Sequence, residues 1–316
     1  GKAYGVPAYQ LAGGKFRDEV LCYCDTPSVP DGTQMGHRLN ERMEMGFKFL
    51  KMDVGIGLLR DVPGALSAPP NMVDTWHVMH QFTGIQVTNK GLDTLTQYVS
   101  DVRDVIGYDI PLAVDHFGHI GVEACIRLGR ALDPFILAWY EDMIPWQYTE
   151  QWKRLTEAVM TPTCTGEDIY LKEGFVPLLE NKAVSVIHPD LASSGGILET
   201  KKIGDMAQDH GVAMAMHMAA TPICALANVH CAAATENFLV LENHSVDDPK
   251  WSEMVTGLPS PLIENGFIQV PEGPGLGFED VNEELLRERL NPDDPIYFDQ
   301  PTDYWDVDRS NDRLWS

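Results

Sequence analysis

The sequence has few basic residues for its length. Its 316 residues include 23 Lys and Arg against 47 Asp and Glu, which gives a formal net charge of −24 at pH 7. Nucleic acids and anionic membranes bind proteins through a positive surface, so this composition argues against both as partners. It does not exclude a small anionic substrate, because a bound cation can reverse the sign of the charge locally.

Long apolar runs and zinc-spaced cysteines are also lacking. No stretch approaches the roughly 18 apolar residues of a membrane span, and no basic segment followed by an apolar one marks a signal peptide. We therefore expect a cytoplasmic protein with no membrane partner. We interpret the six cysteines as buried, reduced thiols, since no two pairs have zinc-binding spacing: Cys22, Cys24, Cys125, Cys164, Cys224 and Cys231.

Eight short, mostly apolar runs end in a polar residue and alternate with segments of helical character. Strands that are buried on both faces of a parallel sheet have this pattern. Eight strand–helix units in one chain predict a (β/α)8 barrel of the TIM type. The predicted strands cover residues 20–24, 49–53, 112–115, 136–141, 162–167, 184–190, 213–217 and 238–242, and the predicted helices cover 33–45, 92–106, 122–132, 148–159 and 197–208.

The polar residues at the strand ends keep a regular spacing. Successive intervals of 26, 26, 23, 27 and 25 residues separate Asp115, Glu141, Glu167, Asp190, His217 and Glu242. One strand–helix unit takes about this length when its loops are short. The carboxyl ends of barrel strands converge on one mouth, where active sites are found, so the spacing predicts a site built from these side chains.

Three carboxylates on consecutive strands indicate a metal site. Asp115, Glu141 and Glu167 would repel one another unless a cation neutralised them. All-oxygen ligation suits Mg²⁺ best, with Mn²⁺ as the alternative. Asp190 and His217 on the next two strands form a carboxylate–imidazole pair, in which the carboxylate orients the imidazole as a general base.

Lys51 and Asp53 end the second predicted strand, and their spacing puts both side chains on one face of it. A metal with acid/base groups on one or both sides suits the removal of a proton next to a carboxylate. The metal can offset several kcal/mol of the charge that develops on the resulting enediolate. The sequence therefore favours carbon-acid chemistry on a small carboxylate substrate.

The chain resembles the mandelate racemase group of the enolase superfamily, whose members combine a Lys or His base with Mg²⁺. The matching segments cover nearly the whole chain in the right order. They are residues 7–15 (PAYQLAGGK), 46–53 (GFKFLKMD), 114–115 (VD), 140–145 (YEDMIP), 165–167 (TGE), 189–197 (PDLASSGGI), 216–217 (MH) and 271–277 (PEGPGLG).

The resemblance implies roles for the residues at the strand ends. It implies Mg²⁺ ligation by the three carboxylates named above and catalysis by the His217–Asp190 dyad on one face of the substrate. Glu242 matches the carboxyl group that hydrogen-bonds the substrate or the enediolate in that group. Lys51 matches the first lysine of a K-x-K motif, whose second lysine is the base on the opposite face and is here Asp53.

The departures from the family pattern separate the candidate reactions. A histidine base of some sugar-acid dehydratases is here Phe117, and His116 and His119 are out of that phase. A racemase needs a base on each face, whereas a dehydratase can work with His217 alone. We therefore expect dehydration of a sugar acid to a 2-keto-3-deoxy acid. The alternatives are a racemase or epimerase, and a non-catalytic barrel.

The domain plan that we expect has three parts, at residues 1–18, 19–245 and 246–316. The first is the tail of an N-terminal α+β capping domain, which we expect to be missing because the first fifteen residues resemble the family's junction with the barrel. The second is the barrel, with an insertion at 55–89 that acts as a lid or packs on a neighbouring subunit or domain. The third packs back on the barrel. Substrate contacts are assigned to His77, His80 and His188, and the protein is expected to be a homo-oligomer.

Overall fold

The computed structural model describes residues 1–70, 72–73, 81–115 and 120–290. Eight parallel strands pair in chain order, and the last pairs with the first to close a barrel. The predicted (β/α)8 barrel is confirmed. Its strands are β1 (Glu19–Thr26), β2 (Leu50–Asp53), β3 (Leu112–Asp115), β4 (Tyr140–Glu141), β5 (Thr163–Thr165), β6 (Val186–Ile187), β7 (Ala213–Met216) and β8 (Phe238–Asn243).

The barrel interior is filled by side chains, as expected for eight strands. Successive side chains along a strand point to opposite faces, so every strand contributes inward residues to this layer. A separate, larger apolar core lies between the strands and the surrounding helices. The interior cluster consists of Tyr23, Phe49, Ala113, Trp139, Cys164, Val186, Ala215 and Val240.

Seven helices of ten residues or more accompany these strands among the described residues. The five predicted helices are confirmed to within three residues at each end. The other two helices were not predicted because their sequence patterns are atypical. Leu171–Glu180 contains a proline, and Pro222–Ala234 has apolar residues on all sides. The helices are Gly32–Glu44, Asn89–Ile106, Val122–Leu132, Thr149–Ala158, Leu171–Glu180, Ile197–Asp209 and Pro222–Ala234.

The segment between β2 and the helix Asn89–Ile106 lies on the side of the barrel where the strands end. Its described part contains a 3-10 turn, Ile56–Leu59, and a small antiparallel pair, Leu66–Ser67 with Gln86–Val87. His77 and His80 lie outside the described residues, so their assignment to the substrate stays a prediction.

The ends of the described chain pack on the barrel. The short helix Ala8–Leu11 contacts Pro222–Ala234, and the strand Phe267–Gln269 pairs antiparallel with the start of β1. Two short helices, Leu191–Ser194 and Glu283–Glu288, and two 3-10 turns, Asp133–Phe135 and Ser252–Met254, complete the elements of the described residues. The domain boundaries stay a prediction. All six cysteines are free thiols, and five of them are buried. The helices that the structure describes are all too short or too polar to cross a membrane.

Candidate active site

The predicted acidic residues and histidine meet at the carboxyl ends of the strands. Asp115 and Glu141 are the last residues of β3 and β4, and Glu242 lies near the end of β8. Glu167 follows β5 by two residues. Asp190 and His217 follow β6 and β7 and form a direct bridge with each other. All six strand-end residues of the predicted site therefore lie at the barrel mouth.

A buried ammonium group links three of these carboxylates. Lys51 is 1% exposed, and its Nζ atom lies 3.0 Å from Asp115 Oδ2, 2.9 Å from Glu141 Oε1 and 2.6 Å from Glu242 Oε1. Burial by itself lowers the pKa of Lys51, but the three carboxylates raise it well above its ordinary value. Lys51 is therefore charged at neutral pH and cannot act as a base there.

Glu141 is held from further directions by the interior of the barrel. Its Oε2 accepts a hydrogen bond of 2.7 Å from Trp139 Nε1, and its Oε1 lies 3.3 Å from His188 Nδ1. His188 is fully buried and has Tyr23 Oη 2.9 Å from its other nitrogen. The structure thus places His188 beneath the mouth, and its assignment to the substrate stays a prediction.

Two of the predicted metal ligands cluster with a third carboxylate that the sequence had not indicated. Oxygens of Glu141, Asp142 and Glu167 all lie within 4.8 Å of one another. Burial raises the pKa of Asp142 well above its ordinary value, and the charges of Glu167, Asp115 and Glu141 add to the effect. Burial also raises the pKa of Glu167. Because these three carboxyl groups lie so close together, a cation bound between them would relieve their mutual repulsion.

One glycine positions Glu167. Gly166 has φ of +149°, which L side chains rarely adopt, and a Cβ atom there would lie 2.9 Å from both His188 N and Phe175 Cε1. Only glycine fits such a position without strain. The chain can therefore turn sharply after β5 and direct Glu167 towards the mouth.

The predicted dyad is preorganised. Asp190 caps the helix Leu191–Ser194, since its Oδ1 accepts hydrogen bonds from the backbone N–H groups of Ala192 and Ser193 at 2.7 and 3.2 Å. Its Oδ2 accepts a hydrogen bond of 2.6 Å from His217 Nδ1. Burial raises the pKa of Asp190, but these hydrogen bonds outweigh it and the pKa is lowered.

His217 is surrounded by negative charge. Its Nε2 atom lies 3.4 Å from Glu167 Oε2 and 3.8 Å from Glu242 Oε2. Burial by itself lowers the pKa of His217, but Asp190, Glu242 and Glu167 raise it to about 9. Nδ1 is committed to Asp190, so Nε2 is the atom that can exchange a proton with a bound molecule.

Glu242 stays ionised despite complete burial. Burial raises its pKa, but Lys51 and three neighbouring histidines lower it well below its ordinary value. One of these is His244, whose Nε2 atom lies 3.2 Å from Glu242 Oε1. A permanently charged carboxylate at this position can accept hydrogen bonds from a ligand or hold a neighbouring imidazolium.

The remaining predictions concern the residues on the opposite face of the substrate from His217. Asp53 is half-buried and directly opposite Asp115 in the β2–β3 register. Its catalytic role at the second position of the K-x-K motif stays a prediction. Phe117 and its neighbouring histidines lie outside the described residues.

Sequence reasoning missed three polar residues of the mouth. Asp142 follows Glu141 directly, and alternation places it on the opposite face of an ideal strand, but its φ of +43° turns the chain after β4. His244 and Asp25 follow Glu242 and the buried Tyr23 by two residues each. The two-residue period of a strand is the signal that could have found both.

Comparison with known proteins agrees with this fold. The sequence model of the family described as Enolase C-terminal domain-like matches residues 34–285. The protein therefore belongs to the enolase C-terminal domain-like family.

Individual relatives include sugar-acid dehydratases and a mandelate racemase/muconate lactonizing enzyme-like protein. The chain is 35% identical to D-xylonate dehydratase of Haloferax volcanii over 88% of this chain, and it spans 63% of that protein's length. It is 28% identical to the D-galactonate dehydratase family member RspA of Pantoea ananatis, over 90% of this chain and 69% of the relative. A mandelate racemase/muconate lactonizing enzyme-like protein from Rubrobacter xylanophilus is similar in structure, with a TM-score of 0.79 and 30% identity over 93% of this chain and 74% of that one.

Proposed function

We propose that this protein is a lyase that dehydrates a sugar acid to a 2-keto-3-deoxy acid with the help of Mg²⁺. The observation that carries the proposal is the His217–Asp190 hydrogen bond of 2.6 Å, with His217 Nε2 beside Glu167 and Glu242 at the barrel mouth. The names of the relatives support the substrate class, since D-xylonate and D-galactonate are both sugar acids.

The donor set fits a hard divalent cation. Glu141, Asp142 and Glu167 offer only oxygen, and their mutual distances leave room for one ion; Asp115 lies on the adjacent strand. Oxygen donors suit Mg²⁺, with Mn²⁺ as the alternative. When bound, Mg²⁺ would draw negative charge from the substrate carboxylate and so acidify the neighbouring C–H bond.

His217 performs the proton abstraction in this proposal. Asp190 fixes the ring with Nδ1 protonated, so Nε2 of the neutral imidazole takes the α-proton. The pKa of about 9 means that His217 is an imidazolium at neutral pH in this structure. A cation held by Glu167 would offset part of the charge that raises this pKa and would favour the neutral base.

The other charged groups stabilise the intermediate. Removal of the α-proton leaves an enediolate, and the fixed charge of Lys51 lies among the carboxylates that would otherwise repel it. Loss of the β-hydroxyl as water then gives an enol, which becomes the 2-keto-3-deoxy acid. No base on the opposite face is needed, in keeping with Asp53 at the second position of the K-x-K motif.

The test incubates the protein with Mg²⁺ and a panel of aldonic acids in D₂O and follows C2 by NMR. We expect a 2-keto-3-deoxy acid from one C2 configuration only, and no reaction in the His217→Asn variant. Asp53→Asn should lower the rate only modestly. Deuterium entering both C2 epimers without keto acid would instead indicate a racemase or epimerase. No exchange and no product with any acid would favour a non-catalytic barrel.

A further inference from the structure

A second carboxylate–imidazole pair lies at the seam where the barrel closes. Cys24 and Asn243 are opposite each other in the β1–β8 register, so the next residues, Asp25 and His244, emerge side by side at the mouth. His244 Nδ1 lies 3.6 Å from Asp25 Oδ2. The pair thus arises in the same way as the Asp190–His217 pair, from neighbouring strand ends.

The two pairs share one carboxylate. Glu242 Oε1 lies 3.2 Å from His244 Nε2, and Glu242 Oε2 lies 3.8 Å from His217 Nε2. The two imidazole rings are 5.5 Å apart between centroids and inclined by 68°. A small molecule that contacts His217 at this mouth is therefore within reach of His244 as well.

The charged surroundings of His244 favour its protonated form. Burial by itself lowers its pKa, and Lys51 lowers it further, but Glu242 and Asp25 outweigh both and raise it. Burial raises the pKa of Asp25 to about 6, with Lys51 and His244 opposing the rise. At neutral pH Asp25 is therefore a carboxylate, and its charge, together with that of Glu242, favours the imidazolium form of His244. A third of the His244 side chain is exposed, so a bound molecule can contact it.

We infer that His244, held between Glu242 and the charge of Asp25, is a second catalytic residue that protonates the departing β-hydroxyl group. This inference rests on the proposed dehydration and divides its two proton transfers between two histidines. His217 alone would have to take a proton from C2 and then deliver one to an oxygen on C3. Two imidazoles 5.5 Å apart can serve the two positions without moving.

In this elimination His217 receives one proton and His244 gives one. His217 Nε2 takes the C2 proton, and the electron pair of that bond passes into the enediolate. This pair then forms the C2=C3 bond while the C3–O bond breaks with its electrons on oxygen. His244 gives that oxygen a proton, and water leaves. Proton exchange with solvent afterwards returns His217 to the neutral form and His244 to the charged form.

The kinetic test uses D-xylonate and 3-deoxy-3-fluoro-D-xylonate with the Mg²⁺-loaded protein. Fluoride leaves as an anion and needs no proton. His244→Asn should therefore lower dehydration of D-xylonate by about 10²-fold or more, while loss of fluoride should stay within a few-fold of the wild-type rate. Exchange of the C2 proton with D₂O should persist in this variant. Equal losses on both substrates would overturn the inference.

Controls separate this inference from the proposed function. His210→Asn, an exposed histidine that follows the helix Ile197–Asp209 and precedes β7, should leave both rates unchanged. His217→Asn should abolish exchange and both eliminations. If the wild-type protein turns over neither substrate, the proposed dehydration of D-xylonate is wrong. The Asp25–His244 pair is then tested by a measurement that needs no turnover.

The turnover-independent measurement is an NMR titration of the histidine rings, with the His244 signal assigned by its loss in His244→Asn. We expect His244 to titrate above the ordinary value of 6.5 and to shift to lower pH in Asp25→Asn. The titration of His210 serves as the reference. An identical titration of His244 in wild-type protein and Asp25→Asn would show that no such pair exists and would overturn the inference.

Discussion

Lys51 Nζ lies 2.6 Å from Glu242 Oε1, and this ion pair joins β2 to β8 inside the barrel. β1 lies between these two strands in the sheet. The same ammonium also contacts Asp115 and Glu141. One cation is therefore shared by three buried carboxylates at the base of the barrel mouth and offsets part of their charge.

Removing this cation should destabilise the fold. Lys51→Met removes the cation that three buried carboxylates share, and breaking a buried ion pair from one side costs about 3–5 kcal/mol. We expect a loss of this size in the free energy of urea unfolding at pH 7. Lys250→Met is the matched control, because its ion pair with Glu288 is more than half exposed and should contribute less than about 1 kcal/mol. Similar losses in the two variants would contradict the assignment.

Divalent metal should stabilise the protein. Mg²⁺ at about 100 times its dissociation constant should add about 2.7 kcal/mol to the free energy of unfolding. Glu167→Gln should weaken this gain, because one neutralising charge is lost while the shape is kept. Glu157→Gln, an exposed change on the helix Thr149–Ala158, is the control. Calorimetric titration of Mg²⁺ checks the affinity, and unchanged binding in Glu167→Gln would remove that residue from the site.

Acid should destabilise the contact between His230 and Tyr9. The backbone N–H of Tyr9 donates to His230 Nδ1 at 3.3 Å, so the ring must be neutral. Burial lowers the pKa of His230 below its ordinary value of 6.5. The unfolded chain then binds the proton more readily, and the contribution of His230 to stability is complete above pH 6.5 and declines as the pH falls below it.

The comparison with His230→Gln isolates this effect. The difference in unfolding free energy between wild type and variant should shrink from pH 7.5 to pH 5, as followed by urea denaturation. A difference that is constant over this range would show that His230 has the same pKa in the folded and unfolded chains.

Gly166→Ala should be strongly unfavourable. The φ of +149° and the contacts of 2.9 Å to His188 N and Phe175 Cε1 leave no room for a Cβ atom. Backbone strain of this kind costs about 1–3 kcal/mol, and Mg²⁺ affinity should fall because Glu167 moves. Gly57→Ala is the control, since a Cβ there meets open space. A Gly166→Ala variant as stable as Gly57→Ala would mean that this turn relaxes freely.

The sequence by itself determined the barrel and the positions of most of its site. Apolar runs of strand length with helical segments between them admit few arrangements, and the regular spacing of Asp115, Glu141 and Glu167 places them at equivalent strand ends. The helix Pro222–Ala234 escaped because it is buried on all sides, and a helix without a polar face has no periodicity to read.

Only the tertiary structure decided how the charges pair. The position of Lys51 among Asp115, Glu141 and Glu242 depends on strands that are far apart in the chain. The Asp25–His244 pair exists because β8 closes against β1, a contact that local sequence does not encode. Residue types and spacing fix which faces carry charge, whereas the distance between two charges, and hence which group binds a proton, depends on how the strands close into a barrel.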